Sequence, residues 1–389
     1  MKYFFNKFLV KIKFQEIALV ILSIYFPLFF FNLGLYFTKD VRNNDREVKV
    51  KAKMLKARNN GFVPYYYPRD TFNLIDGFYP LGGKQNSNTY FCDEGYGLIK
   101  YKSDRFGLRN KDKNWDSFKF PKRKTFFVGD SFVHGACVDN KYTISERFQN
   151  LSGDLTYNLG ASGASPAHYE AVIKMLLEPM YKSEDRSKKD NVVLIFYFND
   201  NCKSCEPNLI PYEKAKKIYH PIIPNSVGLT VNPKYSENIE KLVEKSEVKL
   251  KVQNEKLNKL SFNFLRNFFA LTEIKKIIRN YTYHFGLLSK YNKNDATQKS
   301  IVALQELCID RCKPFTAYIP PQSKGIVLGS ERYKNHIKNV SKKNKVSYVP
   351  LENVIRSNNF LDYAPKGGHL SIEGYKKVAE YIHKHINFN

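Results

Sequence analysis

The stretch Thr125-Phe-Phe-Val-Gly-Asp-Ser131 decides the fold that the sequence predicts. Its first four residues are apolar or β-branched, which is typical of a buried strand. Ser131 then stands at a strand-to-helix turn, where the carboxyl end of a parallel strand exposes functional groups. A serine there can be a nucleophile, or it can merely cap the helix that follows.

Outward from this stretch, short β-rich runs alternate with helical segments. The runs are Lys124 to Val128, Leu155 to Asn158, Val192 to Phe198, Pro314 to Ile319 and Val346 to Val349. This alternation predicts an α/β fold, a parallel sheet with helices on both faces. One helix should begin at the cap pair Ser165-Pro166, and a last helix should follow Ser371 as its cap. The last helix carries one apolar stripe: Tyr375, Val378, Ala379, Ile382 and Ile386.

Three further motifs follow Ser131 in an order that suits ester cleavage. They are Asn158-Leu-Gly-Ala-Ser-Gly163, Phe198-Asn199-Asp200 and Gly367-Gly-His369-Leu-Ser371. A glycine amide and an asparagine amide can bind an oxyanion, and a late histidine can serve as the base. Each motif alone has an ordinary structural explanation as a turn, a cap or a loop residue, whereas the four together predict a site.

Residues 125 to 386 resemble the SGNH (GDSL-type) hydrolase family in these four motifs. The resemblance implies Ser131 as nucleophile, Gly163 and Asn199 as oxyanion donors and His369 as base. It also implies a three-layer α/β/α sandwich with a flavodoxin-like parallel sheet. The implied substrates are carboxylic esters, often O-acyl groups on glycans, and the family implies no cofactor and no metal.

The chain departs from the family pattern at two positions. Tyr197 replaces the glycine that usually opens the third motif, and Lys366 replaces the aspartate three residues before the histidine. Asp362 is our candidate for the orienting carboxylate, provided that the loop before His369 folds back. The alternative is a backbone carbonyl that holds the ring in a Ser-His dyad.

Three other side chains are candidate substrate contacts. His134 and His168 lie close in sequence to Ser131 and Gly163, and either could also act as a second base. They rank below His369, which alone precedes a capped helix late in the chain. Tyr197 is expected to narrow the acyl pocket.

Ile17 to Phe37 is a run of 21 residues without a charge. At about 1.5 Å per residue it is long enough to cross a hydrocarbon core of about 30 Å, so we expect one transmembrane helix. A cleavable signal peptide and a buried globular helix are the alternatives. Basic residues flank both ends, so their distribution does not decide the orientation.

Six cysteines, an even number, favour an oxidising compartment and structural disulfides. An alternative is a four-thiolate zinc site built from Cys202, Cys205, Cys308 and Cys312, whose spacing is not the usual finger pattern. We therefore expect a single-pass protein of the inner membrane with its catalytic part on the extracytoplasmic side.

The predicted order along the 389 residues is a cytoplasmic tail over 1–16, the membrane helix over 17–37 and an irregular linker over 38–60. An accessory segment over 61–120 and the hydrolase domain over 121–389 follow, with an insertion at about 201–299 that includes a helix near Asn238 to Leu260. The net charge of +26 is spread along the chain without a nucleic-acid-reading motif, so no nucleic-acid partner is expected.

These observations lead to three functional hypotheses. The first is a membrane-anchored serine esterase that removes acyl groups from envelope glycans. The second is a polysaccharide O-acyltransferase that uses the same acyl-Ser131 intermediate. The third is a noncatalytic glycan-binding or assembly protein, a hypothesis motivated by the missing aspartate at Lys366.

Overall fold

The computed structural model describes residues 14–67, 75, 78–116, 122–182, 190–201, 221–224, 229–257, 274–275, 296–322, 327–357, 359 and 361–388. Two compact units divide the chain: residues 1–51 with 251–283, and residues 52–250 with 284–389. Cys202, Cys205, residues 1–13 of the predicted tail and most of the predicted insertion lie outside the described residues.

A long helix, α1 (Phe14–Asn59), contains the run Ile17 to Phe37. Among the described residues, no helix is long and apolar enough to cross a membrane, so the predicted span is not confirmed. The irregular linker predicted over 38–60 is wrong, because α1 continues to Asn59. Lysine, arginine, alanine and leucine favour a helix there, and neither glycine nor proline occurs between Leu35 and Asn60.

The second unit is built on a five-stranded sheet. Its strands are β4 (Lys124–Gly129), β5 (Leu155–Gly160), β6 (Asp190–Tyr197), β9 (Cys312–Ile319) and β10 (Ser347–Val349). They lie in the order β10-β9-β6-β4-β5, and every neighbouring pair is parallel. The predicted parallel sheet is thus confirmed, and its strand order is the flavodoxin-like one.

Alternate side chains of these strands pack against helices on opposite faces, as a pleated strand requires. On one face, Phe127 and Val193 share a core with Phe148 and the stripe of the last helix. On the other face, Tyr169 contacts Phe196 of β6. The sheet is therefore the middle layer of three.

The helices of this unit have the following bounds: α2 (Lys113–Asp116), α3 (Ser131–His134), α4 (Ile144–Ser152), α5 (Pro166–Val172), α6 (Glu178–Lys182), α7 (Pro233–Leu257), α8 (Ala296–Cys308), α9 (Val327–Lys343) and α10 (Ile372–Phe388). Ser371 Oγ accepts a hydrogen bond from Gly374 N (2.9 Å), as a cap of α10 should. The predicted start of α5 is confirmed, because Ser165 is its N-cap residue and Pro166 its first helical residue, although the Ser165 side chain makes no capping bond.

The accessory segment forms a small sheet of its own. Its strands are β1 (Val63–Pro64), β2 (Asn88–Tyr90) and β3 (Lys100–Lys102), in that order. A buried carboxylate, Asp104, organises the loop that follows by accepting bonds from the Leu108 amide (2.8 Å), Trp115 Nε1 (2.8 Å) and Asn110 Nδ2 (2.9 Å). Asn110 also pairs with the main chain of Asn158 in β5, which ties the segment to the main sheet.

Disulfides are confirmed at two of the cysteine pairs. Cys92 is bonded to Cys137, and Cys308 is bonded to Cys312. The alternative zinc site would need Cys308 and Cys312 as thiolates, whereas their sulfurs are bonded to each other. The remaining short strands are β7 (Ile222–Pro224) and β8 (Leu229–Val231), and α7 covers most of the helix predicted within the insertion.

Candidate active site

Ser131 begins the short helix α3 directly after β4, which lies between β6 and β5 in the sheet. Asp130 caps this helix by accepting a hydrogen bond from the Phe132 amide (2.9 Å). Because Asp130 satisfies the helix end, Ser131 is not needed as a cap. Its hydroxyl remains available at the carboxyl edge of the sheet, where parallel strands gather functional loops.

His369 reaches Ser131 from the turn before α10. The main chain folds back there, with Tyr363 paired to Leu370 and the Ser371 amide bonded to the Asp362 carbonyl (2.9 Å). This turn places His369 Nε2 2.9 Å from Ser131 Oγ. The distance is within hydrogen-bond reach, as a nucleophile and its base require.

The other ring nitrogen of His369 is bonded to Glu94, a residue of the accessory segment. Glu94 Oε1 lies 2.8 Å from His369 Nδ1, and Oε2 accepts a bond from the His369 amide (3.2 Å). Burial alone would raise the pKa of Glu94, but these bonds from His369 lower it below the ordinary value. An ionised carboxylate can only accept, so Nδ1 carries the proton and Nε2 presents its lone pair to Ser131.

The assignment of Asp362 as the orienting carboxylate is wrong. Its carboxylate turns away from the ring and is bonded to Lys377 Nζ (2.7 Å), the Arg356 amide (3.1 Å) and Asn359 Nδ2 (3.1 Å). The loop does fold back, as expected, but it presents the main chain of Asp362 to Ser371. Its carboxylate therefore stabilises the loop that carries His369.

A tight turn brings Glu94 to the ring. Asp93 Oδ1 accepts bonds from the amides of Gly95 (3.0 Å) and Gly97 (3.2 Å), and both glycines have positive φ. The Glu94 carbonyl accepts a bond from the Lys366 amide (3.1 Å), which docks this turn onto the histidine turn.

The Cys92–Cys137 disulfide lies beside Glu94 and His369. Cys92 precedes Glu94 by two residues, and its partner Cys137 follows Ser131 by six. Within the described residues, Glu94, Cys137 and His369 each offer one possible ligand atom within 4.8 Å of the others. The Cys137 sulfur is already bonded to Cys92, so it is no thiolate, and the set does not fit a metal ion.

Gly163 and Asn199 follow the two strands that flank β4. Gly129 at the end of β4 pairs with Gly160 of β5 and with Ile195 of β6. The loop that begins at Ala161 is bonded to β4 by the Ala161 amide and the Gly129 carbonyl (3.1 Å). The two oxyanion candidates thus leave the same edge of the sheet on either side of Ser131, and Asn199 is exposed there.

The three candidate substrate contacts have different positions. His168 is fully buried, which lowers its pKa to about 4, so the proposed contact with substrate is wrong. His134 is also buried, and both of its ring nitrogens are bonded within the protein, so its assignment as a contact or second base is wrong too. Tyr197 packs on Phe132 with ring centroids 4.1 Å apart, and Phe132 in turn contacts His369.

Two buried carboxyl groups lie beneath the site. Burial raises the pKa of Asp130 to about 6. Burial also raises the pKa of Asp200 well above its ordinary value, and the nearby Asp130 charge raises it further. Tyr169 OH (3.0 Å) and the Tyr197 amide (2.8 Å) donate to Asp200. The serine hydroxyl has a single proton, and its distance to Asp130 Oδ2 (3.4 Å) is longer than that to His369, so the histidine is the favoured acceptor.

Glu94 was missed by sequence reasoning because it precedes the nucleophile and belongs to a segment without family motifs. The available signal was Cys92, two residues away, whose disulfide brings this turn to the helix of Ser131. Cysteine spacing alone does not reveal the pairing.

Comparisons with known proteins give structural similarities only. No family model matches the chain, and no curated protein matches it. A G-D-S-L family lipolytic protein from Desulfitobacterium hafniense is similar at 13% identity and a TM-score of 0.34, over 67% of this chain and 98% of its own.

Two carbohydrate esterases are similar to the same extent. A family 3 carbohydrate esterase from Clostridium thermocellum has 14% identity and a TM-score of 0.34, over 68% of this chain and 96% of its own. A catalytic mutant of an acetylxylan esterase from Geobacillus stearothermophilus has 11% identity and a TM-score of 0.35, over 69% and 95%.

The Glu94 contact yields a first prediction. We expect Glu94→Gln to lower kcat for an aryl acetate by about 10²–10⁴-fold, because an amide neither fixes the tautomer nor stabilises the imidazolium. Asp362→Asn should cost less than about tenfold, or about 1.4 kcal/mol in the barrier, although Lys377 loses its partner. Steady-state kinetics of both variants is the measurement. A larger loss from Asp362→Asn than from Glu94→Gln would return the orienting role to Asp362.

The two glycines before His369 yield a second prediction with a built-in control. A Cβ on Gly367 would lie 1.8 Å from Glu94 Cδ, whereas a Cβ on Gly368 would meet nothing within 4 Å. We expect Gly367→Ala to displace the Glu94 carboxylate and lower kcat, and Gly368→Ala to change it little. In the Glu94→Gln background, Gly367→Ala should add little further loss, because both changes remove one contact. Equal kinetics of the two alanine variants would contradict this account.

Proposed function

We propose that the chain is a serine esterase of the SGNH type that cleaves O-acyl esters of glycans through an acyl-Ser131 intermediate. The observation that carries the proposal is the hydrogen-bonded line from Ser131 Oγ through His369 to Glu94 (2.9 and 2.8 Å). Nucleophile, base and orienting carboxylate are thereby in the arrangement that acyl transfer to serine needs. The glycan substrate class rests on the resemblance of the four sequence motifs to this family.

The first half of the reaction follows from this line. Ser131 Oγ forms a bond to the ester carbonyl carbon while its proton passes to His369 Nε2. The carbonyl oxygen becomes an oxyanion, for which we assign the amides of Ser131 and Gly163 and the Asn199 side chain as donors. Each such donor is worth about 2.7–4 kcal/mol in the transition state. The bond to the sugar oxygen then breaks, and His369 returns the proton to that leaving oxygen.

Water completes the cycle in the second half. The water oxygen attacks the carbonyl carbon of acyl-Ser131 while His369 Nε2 takes a proton from the water. The bond between that carbon and Ser131 Oγ then breaks, and His369 returns the proton to Ser131 Oγ. The products are a carboxylic acid and the free serine. A sugar hydroxyl in place of this water would make the same site an acyltransferase, so the acceptor decides between the two reactions.

Glu94 supports an enzymatic function over a noncatalytic one. The noncatalytic hypothesis was motivated by Lys366 at the position of the family's aspartate. The accessory segment supplies a carboxylate to the same ring nitrogen, and bonds from His369 lower its pKa so that it stays ionised. Glu94 thus takes the orienting role that Lys366 cannot take, and the lysine at position 366 no longer argues against catalysis.

The nucleophile gives the test of this proposal. Ser131→Ala should keep the fold, as seen by circular dichroism, yet lose both labelling by a fluorophosphonate probe and hydrolysis of an aryl acetate. Addition of a sugar acceptor distinguishes transfer from hydrolysis, since only transfer yields an acylated sugar. Labelling of Ser131→Ala at the native rate would exclude Ser131, and an unreactive native protein would exclude the esterase.

We also propose that the catalytic unit lies outside the cytoplasm and is anchored by α1. The disulfides support an oxidising compartment, and large apolar side chains are exposed around α1, including Leu19, Ile24, Phe30 and Phe31. A purely globular surface rarely exposes so many in succession.

Protease treatment of intact spheroplasts tests this location. We expect added protease to digest the catalytic unit, and mass spectrometry of thiol-labelled protein to find Cys92, Cys137, Cys308 and Cys312 unlabelled. Lysed spheroplasts are the control for protease activity. A unit that is digested only after lysis, with these four thiols free, would place it in the cytoplasm.

A further inference from the structure

His134 joins the helix of the nucleophile to the loop of Gly163. It lies one turn after Ser131 on α3 and is almost fully buried. Its Nδ1 is bonded to Ser162 Oγ (2.8 Å), and its Nε2 is bonded to Tyr101 OH (3.1 Å). Neither nitrogen is free to take a proton from substrate or water.

Ser162 is the residue before Gly163 and is itself 1% exposed. Besides the bond to His134, its main-chain carbonyl accepts a long bond from Tyr65 OH (3.5 Å). The side chain and the main chain of this one residue are therefore both held by polar atoms of the second unit. Gly163 follows at φ 78°, and because glycine has no Cβ to restrict its backbone, bonds to the neighbouring Ser162 help to hold this conformation.

The accessory segment encloses the imidazole with aromatic rings. The rings of Tyr65 and Phe91 lie with their centroids 4.7 and 5.1 Å from that of His134. Burial, together with the charges of Arg109 and His369, lowers the pKa of His134 well below its ordinary value. The ring therefore stays neutral, with one donor and one acceptor nitrogen for its two hydroxyl partners.

We propose that His134 is a positioning residue that holds the loop 161–164, and with it the Gly163 amide, in place for the oxyanion. Tyr101 fixes the far side of the ring, so the accessory segment sets this donor as well as the His369 tautomer. The inference rests on the proposed function, because the oxyanion exists only if Ser131 attacks an ester. A displaced Gly163 amide weakens transition-state binding and leaves the binding of the ground-state ester nearly unchanged.

Two substitutions of His134 separate its two bonds. The amide of asparagine reaches the position of Nδ1, so His134→Asn keeps the bond to Ser162, whereas the amide of glutamine reaches the position of Nε2 and His134→Gln keeps the bond to Tyr101. We expect His134→Gln to lower kcat by about 10–10²-fold with little change in KM, a part of the 10²–10³ that a lost oxyanion donor costs. His134→Asn should retain more of kcat.

Ser162→Ala approaches the same bond from its other end with less disturbance of the core. We expect a similar fall in kcat, and no additional fall when it is combined with His134→Gln. Ser165→Ala is the matched control, since the buried Ser165 hydroxyl three residues later has no hydrogen-bond partner among the described residues. It should leave kcat unchanged.

Hydrogen exchange tests the inference independently of activity. In the native protein, the peptide that contains residues 161–164 should be protected, and Ser162→Ala and His134→Gln should each raise its exchange, whereas Ser165→Ala should not. Unchanged exchange in both variants would overturn the inference, even if the native protein is an active esterase. Raised exchange in a protein that never hydrolyses an ester would support the role of His134 in holding the loop 161–164 and would contradict the proposed function instead.

Discussion

The contact between Glu94 and His369 is the interaction on which the rest of the site depends. One carboxylate holds both the ring and the main chain of the histidine, and 275 residues separate the two in sequence. Such a contact needs two turns that fit each other. Gly367 leaves room for the carboxylate, and the Lys366 amide binds the Glu94 carbonyl, so the second turn is shaped to receive the first.

The accessory segment is consequently part of the candidate site and of the same folded unit as the main sheet. Arg109 donates to the carbonyls of Gly135 and Val138 (both 2.7 Å), at the end of the helix that begins with Ser131. Asn110 pairs with β5 as a further strand residue would. Because these groups are buried, their removal would leave carbonyls and amides without partners, at a cost of about 1–3 kcal/mol for each group. The predicted boundary between residues 120 and 121 therefore separates the accessory segment from the four sequence motifs, but it does not separate two folded units.

What the sequence predicts well is what local patterns determine. The strand around Phe127, the stripe of α10 and the cap at Ser371 each depend on residues a few positions apart, and each is present. That the motifs after β4, β5 and β6 lie close together is predictable as well, because the loops that follow parallel strands leave the same edge of the sheet. Glu94 and the partners of His134 depend on contacts across the chain, for which a single sequence carries no periodic signal. Asp362 was chosen because it is near His369 in sequence, and the fold uses its main chain there instead of its carboxylate.

Hydrogen bonds explain why Glu94, among the acidic groups near His369, is the one that orients the ring. Glu94, Asp130 and Asp200 are all largely buried, so desolvation raises the pKa of each. Of these three, only Glu94 accepts hydrogen bonds from both the ring and the main-chain amide of His369, and these bonds lower its pKa below the ordinary value. Asp130 and Asp200 remain with raised pKa values, and Asp130 lies on the Ser131 side of the histidine. A charge at Asp130 would stabilise the imidazolium but could not hold the proton at Nδ1, which requires an acceptor on the opposite side of the ring. The accessory segment supplies that acceptor, and the chain can therefore lack the family's aspartate and still present an oriented base.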